Sequence, residues 1–192
     1  AVYRELRAGG RQFLRHRARS IEALFEKVGT VEAAMSELVM VIRAADPKED
    51  MDRVRSLFRQ YVTELGEDLG FQGFEEELQS LPGEYSWPSG SLYLAWAGEQ
   101  PAGCIAMRRI DAHTCEMKRL YVQPEYRGRE LGWLLIRTII ASARAHNYEV
   151  MKLDSLRRLK SAYNLYKSFG FRETEPYTYN PLPEAVYMQL NL

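Results

Sequence analysis

Long apolar runs are missing from this sequence, and so is any excess of one charge. No window is long and apolar enough for a transmembrane helix, and the first residues carry no signal-peptide core. Lys and Arg together number 26, as do Asp and Glu, so no global field draws the chain to nucleic acid or to a membrane surface. Cysteine is limited to Cys104 and Cys115. Two cysteines with no Cys or His cluster beside them make neither a disulfide framework nor a zinc site, so two small buried thiols and no metal are expected. These absences make a cytoplasmic protein the default expectation, with neither membrane nor nucleic acid as a partner.

What is present belongs to an ordinary globular chain. Hydrophobic residues make up 46% of 192 positions, enough for one domain with a short appendage. The appendage is residues 1–38, and the main domain is 39–192. Arg4, Arg7, Arg11, Arg15, Arg17 and Arg19 face a single acid, Glu5, in the first twenty positions. Leu14, Ala18, Ile21 and Phe25 fall at helical spacing, interrupted by Gly9-Gly10 and Gly29-Thr30. A solvated basic helix and a nucleic-acid or partner-binding arm are the two readings. The first is preferred because the rest of the chain is not basic.

From residue 38 the pattern alternates. Residues 38–44 read as a strand, and Asp46-Pro47 as the cap and first-turn proline of a helix carrying Val54, Leu57, Phe58, Tyr61 and Leu65. A short helix is expected over 74–81. Strands follow at 92–97, 103–110 and 115–122, then a helix over about 131–146, a strand at 149–153, a helix at 160–169 and two closing strands at 171–173 and 185–191. A βαβ crossover embedded among hairpins predicts an α/β fold with a mixed sheet, antiparallel except around one parallel pair.

Residues 118–132, KRLYVQPEYRGRELG, carry the first chemical signal. An apolar strand ends at Val122, and a loop opened by Pro124 carries Arg127, Gly128 and Arg129. Gly132 then leads into an apolar-periodic run. Backbone N–H groups left unpaired at a helix start, together with the helix dipole, make such a junction a cradle for phosphate. Arg127 and Arg129 on a loop would usually be solvated charges, but the glycines and the following helix favour phosphate contact. A second segment, SAYNLYKSFGF at 161–171, places Tyr166 on the inward face of an amphipathic helix. Glu116 lies on the strand six residues before Val122.

Together these pieces resemble the GNAT superfamily of acetyl-CoA-dependent N-acetyltransferases, over roughly residues 39–192. Residues 127–132 are similar to its signature of Arg or Gln, two variable residues, Gly, one variable residue, then Gly or Ala. Residues 162–171 are similar to its A-x-x-L-Y-x-x-x-G-F. The resemblance implies a mostly antiparallel mixed sheet with one splayed parallel strand pair and flanking helices. It implies acetyl-CoA as co-substrate, with the pyrophosphate on Arg127, Gly128, Arg129, Glu130, Leu131 and Gly132. The pantetheine would run along strand backbone at Leu120 and Val122. The implied reaction is acetyl transfer to a primary amine of a small molecule, peptide or protein, by direct attack. The Val122 N–H would polarise the carbonyl, Tyr166 would protonate the sulfur, and Glu116 would take the ammonium proton through water.

Each role has a plainer counterpart. Tyr166 could be core, and Glu116 could be a strand residue paired with Lys118 or Arg119. Asp154-Ser155 could border the acceptor site. Tyr177, Tyr179, Asn180 and Pro181 could line it, or could pack or form a homodimer surface. His113 and His146 read as turn and cap residues. The sequence also departs from the family pattern. Glu130 stands where the signature has Gly, Trp133 where many relatives have a basic residue, and Leu159 where Asn is common. A side chain at 130 is strained if the loop needs positive φ, and its carboxylate lies near a dianion. The alternative function is therefore a non-catalytic module of this fold with a weakened coenzyme A site.

Overall fold

The structure, a computed structural model, describes residues 40–192. The basic helix expected over 1–38 lies outside the described residues. The chain divides into two units, Ala1–Val41 with Ala97–Gln100, and Ile42–Trp96 with Pro101–Leu192. Of the first, the described residues are the start of a strand and a tight turn with Gly98 at φ 58°.

The elements in order are β1 (Met40–Ala44), α1 (Met51–Leu65), α2 (Phe74–Ser80), β2 (Ser91–Ala97), β3 (Gln100–Arg109), β4 (Thr114–Val122), α3 (Leu131–Ala145), β5 (Val150–Leu156), α4 (Lys160–Ser168), β6 (Arg172–Glu173) and β7 (Ala185–Asn191). They follow the expected order with shifted bounds: β3 begins at Gln100 and not at 103, β5 runs on to Leu156 and so takes in Asp154 and Ser155, and the first helix starts late. Asp46 caps a turn, its Oδ1 accepting from the N–H groups of Lys48 at 2.7 Å and Glu49 at 3.1 Å, and α1 begins only at Met51. The buried Asp50 holds that turn: its carboxylate accepts from Arg43 at 2.6 Å and from the Asp46 N–H at 2.8 Å. Met51, Val54, Leu57, Phe58 and Leu65 then form the buried face of α1, which stops at Gly66 in the left-handed conformation.

The seven strands lie in the order β1-β2-β3-β4-β5-β7-β6. β4 and β5 are parallel, and β5 pairs antiparallel with β7. This is the mixed, mostly antiparallel sheet that the sequence pattern leads to. Helices cover both faces. Cys104 packs in the cluster of Val54, Leu57 and Phe58 from α1. A Cβ on its neighbour Gly103 would lie 3.5 Å from Leu135 of α3 and only 2.5 Å from the Tyr121 carbonyl oxygen. Adjacent strand residues point to opposite faces, so glycine at 103 lets β4 close in on the α3 side. Among the described residues no helix is long and apolar enough to cross a membrane.

Candidate active site

β4 and β5 run together only briefly. Their register joins Thr114, Cys115 and Glu116 to Val150, Met151 and Lys152, and then the pairing stops. β4 stays paired to β3 as far as Val122, and β5 to β7 as far as Leu156. The strand halves 117–122 and 153–156 therefore face each other across a gap with their inner backbone edges unpaired. Buried peptide groups need partners, so this gap suits a ligand that supplies amide hydrogen bonds. A cavity of about 80 Å³ fills it, lined by Leu120, Asp154, Ser155, Leu159 and Tyr166 among others.

A bulge shapes the β4 side. Cys104 pairs with Tyr121 but Ala106 with Lys118, so β4 carries one extra residue there, and Arg119 sits at φ 57°. In a regular strand Lys118 and Arg119 would point to opposite faces. Here both reach one acceptor, Gln72 Oε1, at 3.2 Å from Lys118 Nζ and 3.1 Å from Arg119 Nη1. The bulge thus brings two consecutive cations to one side of the sheet. Arg119 is fully committed. Its Nε donates to Glu77 Oε1 at 2.8 Å, its Nη2 to Glu77 Oε2, and its guanidinium lies 5.2 Å from the Phe74 ring centre. Burial pushes the Glu77 carboxyl up, but the Arg119 hydrogen bonds and charge outweigh it and hold the group below its ordinary value.

Glu116 is 1% exposed. Its Oε2 accepts from Arg108 Nε at 2.6 Å, its cross-strand neighbour, and its Oε1 accepts from the Tyr177 hydroxyl at 2.9 Å. Lys118 Nζ is 3.7 Å away, and Arg119 turns to Glu77 instead. Asp154 faces the cavity. Its Oδ2 accepts from Asn180 Nδ2 at 2.8 Å and Gln72 Nε2 at 3.4 Å, and its Oδ1 lies 3.5 Å from Lys118 Nζ. Tyr179 is largely exposed and meets Phe71 edge-on, with ring centres 6.3 Å apart.

Tyr166 reaches the same cavity from α4. Its ring packs edge-on against Phe171 at 6.0 Å, and among the described residues its hydroxyl has no hydrogen-bond partner. Burial, with the nearby Tyr61 and Asp154, pushes its acidity well below that of free tyrosine, so the phenol remains a proton carrier at neutral pH.

At the far end of β4 lies the loop to α3. Pro124–Tyr126 form one tight turn, Gly128 sits at φ 73° and Glu130 at φ 61°, ψ 8°, immediately before the helix. The first bond closing onto the helix runs from the Leu134 N–H to the Glu130 carbonyl at 3.0 Å, so the N–H groups of residues 128–133 have no backbone acceptor among the described residues. These donors at a helix N-terminus fit a pyrophosphate. Of the arginines, Arg127 is held within the protein, donating to Glu64 at 2.6 Å and to the Val122 carbonyl at 2.9 Å. Arg129 is exposed, 5.8 Å over the Tyr126 ring. Trp133 packs on Phe169, just past the end of α4, at 5.5 Å and under Arg137 at 4.9 Å. Gly132 allows α3 and α4 to approach, since a Cβ there would lie 3.4 Å from Leu165.

The structure therefore brings Leu120, Tyr166 and Asp154 together at the cavity, with Glu116 behind Lys118, and sets residues 127–132 at the end of the same strand. His113 pairs with Glu149 at 3.0 Å in a turn, and the His146 ring contacts the Ser142 carbonyl at 2.7 Å, so both keep to turn and cap positions. Cys104 and Cys115 are buried and unpaired. Gln72 and Lys118 are the residues that sequence reasoning missed as cavity groups. For Lys118 a signal existed, since it shares a strand face with Glu116 by the two-residue period. Gln72 had none, because its place depends on a turn brought in from 82 residues away from Asp154.

Comparison with known proteins agrees with this arrangement. The sequence model of the acetyltransferase (GNAT) family matches residues 53–171. An uncharacterized N-acetyltransferase of Schizosaccharomyces pombe is 42% identical over 153 residues, covering 79% of this chain and 94% of that protein. One from Dictyostelium discoideum is 34% identical over 215 aligned positions, covering 80% of this chain and all of the other. Among solved structures, PaiA N-acetyltransferase of Thermoplasma acidophilum in complex with coenzyme A superposes with a TM-score of 0.64 at 18% identity, over 80% of this chain and 99% of that one. On the splayed strand pair, the helix-start cradle and these matches, the chain belongs to the GNAT family of acetyltransferases.

Proposed function

We propose that the protein transfers the acetyl group of acetyl-CoA to a primary amine by direct attack, with Tyr166 as the acid. The observation that carries this reading is the junction of three things at one strand: the β4 backbone edge left unpaired among the described residues, the N–H cradle at its end, and beside it Tyr166 of α4, whose hydroxyl has no hydrogen-bond partner among those residues. The complex of the Thermoplasma protein with coenzyme A supports the choice of acetyl-CoA. N–H groups of residues 128–133 would hold the pyrophosphate, and the backbone of Leu120 and Val122 the pantetheine.

The reaction balances with the groups at hand. The acceptor ammonium gives a proton to Glu116 through water, leaving a neutral amine. Its nitrogen forms a bond to the thioester carbon while the Val122 N–H bears the developing negative charge on oxygen. The C–S bond breaks with the electron pair on sulfur. Tyr166 gives that sulfur its proton and recovers one from the newly formed amide nitrogen through solvent. Low solvation raises the proton affinity of a thiolate as it does that of a phenolate, so burial does not disable this hand-off.

A second reading, a non-catalytic coenzyme A-binding module, is favoured by one feature. Glu130 places a left-handed residue and a carboxylate inside the cradle. Titrating acetyl-CoA into the protein calorimetrically and following thiol release with a mixed panel of amines separates the two. Binding with release of coenzyme A supports the enzyme, and binding without release supports the module.

A further inference from the structure

The acceptor end of the cavity contains a charge arrangement that the transfer chemistry does not need. Lys118 is 8% exposed, yet every contact of its ammonium among the described residues is long. Gln72 Oε1 is at 3.2 Å, Asp154 Oδ1 at 3.5 Å and Glu116 Oε1 at 3.7 Å. Charge-assisted N–H···O bonds settle near 2.8 Å, as the Arg108–Glu116 and Arg119–Glu77 contacts beside it show. A buried ammonium held this loosely is poorly repaid for its lost hydration. Asp154 shows the converse. Its Oδ2 takes both amide donors, from Asn180 and Gln72, while Oδ1 has only the distant lysine. A loosely held cation and a carboxylate oxygen whose one partner among the described residues is that cation thus stand side by side on the cavity wall, with Tyr166 lining the same space.

The covering of this end limits what can enter. Gln72 comes from the turn Gly70–Gln72, and Asn180 from the segment between β6 and β7. Both reach Asp154, and Phe71 and Tyr179 from the same two segments meet edge-on outside them. Two segments joined across the cavity of about 80 Å³ form a roof, which suits a compact acceptor and not a polypeptide lying in a groove.

Resting on the acetyltransferase reading, we propose that the acceptor is a free α-amino acid, its carboxylate received by Lys118 and its amino nitrogen by Asp154. In an α-amino acid the nitrogen and the carboxyl carbon are about 2.5 Å apart, from standard N–Cα and Cα–C bond lengths. Neighbouring receptors of opposite charge can take both ends at once, and Lys118 and Asp154 are 3.5 Å apart. An α-amino acid entering between them replaces one long ion pair with two short charge-assisted contacts. It also leaves the amine on the β5 side of the gap, across from the β4 backbone that would hold the thioester. Peptides and amides keep an amine but have no free carboxylate on the carbon that bears it, and would leave Lys118 as loosely held as before.

The test uses the intact chain. Release of coenzyme A from acetyl-CoA is followed with the standard free α-amino acids and, for those that react, with the matched α-carboxamide and the decarboxylated amine. The free acid is expected to exceed both in kcat/KM by about tenfold or more, and Lys118→Met to shrink the acid-to-amide ratio to within about threefold. Equal rates for acid and amide in the unaltered protein, or faster turnover of a lysine-containing peptide than of any free amino acid, would overturn the proposal. The comparison in the unaltered protein stands even if Lys118→Met does not fold. If acetyl-CoA binds but no acceptor turns over, the catalytic reading fails separately, and calorimetry of the free amino acids against coenzyme A-loaded protein decides the binding site. Saturable binding of an acid without its amide upholds the site, and no binding of any amino acid removes it.

Discussion

The two ends of the slot are made of different material. At the proposed cradle the available groups are backbone N–H donors of residues 128–133, without backbone acceptors among the described residues and set by a helix start. At the proposed acceptor end they are side chains held inside the fold, drawn from the Gly70–Gln72 turn, β4, β5 and the segment before β7. A backbone cradle tolerates changes of side chain as long as the dihedrals survive, and this accounts for how Glu130 can stand at φ 61° where glycine would be at ease. A buried charge network has no such tolerance, because removing one member leaves another charge unpaired and desolvated. One end should therefore respond to mutation mildly and the other severely.

The largest effect should come from the network. Glu77→Ala strands the Arg119 guanidinium, itself 5% exposed, and should cost about 3–5 kcal/mol of stability by urea denaturation. Its pH dependence follows from sign. Glu77 is held below its ordinary value, so its contribution is complete above about pH 4.5 and fades as the pH falls through the lowered value. A Glu77→Ala protein as stable as the parent would dissolve the contrast between the two ends.

Tyr166→Phe is next. It should lower kcat about a hundredfold or more while leaving calorimetric affinity for acetyl-CoA nearly unchanged. Equal turnover in both proteins would return Tyr166 to the core. At the cradle, Glu130→Gly removes a left-handed side chain and a negative charge, and should tighten acetyl-CoA while adding about 1 kcal/mol of stability. A weaker affinity would mean that the loop has adapted to its glutamate. Smallest of all, Glu64→Ala frees Arg127 from a half-exposed ion pair and should change stability by about 0.5 kcal/mol, read as a small shift in the denaturation midpoint. A larger loss would mean that this pair, and not the backbone alone, sets the cradle.

Legibility followed the same division. The strand-to-helix junction at Val122–Leu131 can be read from Pro124, Gly128, Gly132 and the apolar period that follows, because each acts through local backbone preference. The short reach of the β4–β5 pairing cannot. It depends on β5 continuing to Leu156 beside β7, a strand about thirty residues further on, while β4 keeps to its hairpin partner β3. The bulge at Arg119 has no sequence mark either, since no glycine stands there. Glu116 could be paired by alternation with Lys118, yet its strongest partner is Arg108, across the hairpin, and a tyrosine 61 positions on.

The amino-acid sequence by itself determined the order of elements, the helix that opens at Leu131 and the donors exposed there, because periodicity, proline and glycine act over a few residues. Tertiary structure alone decided that Lys118, Arg119, Gln72, Asp154 and Asn180 share one enclosed space, and that Lys118 is held at arm's length in it. Those placements come from a bulge, a strand divergence and two segments meeting over the gap. Each is a compromise among distant contacts that no local stretch of sequence records.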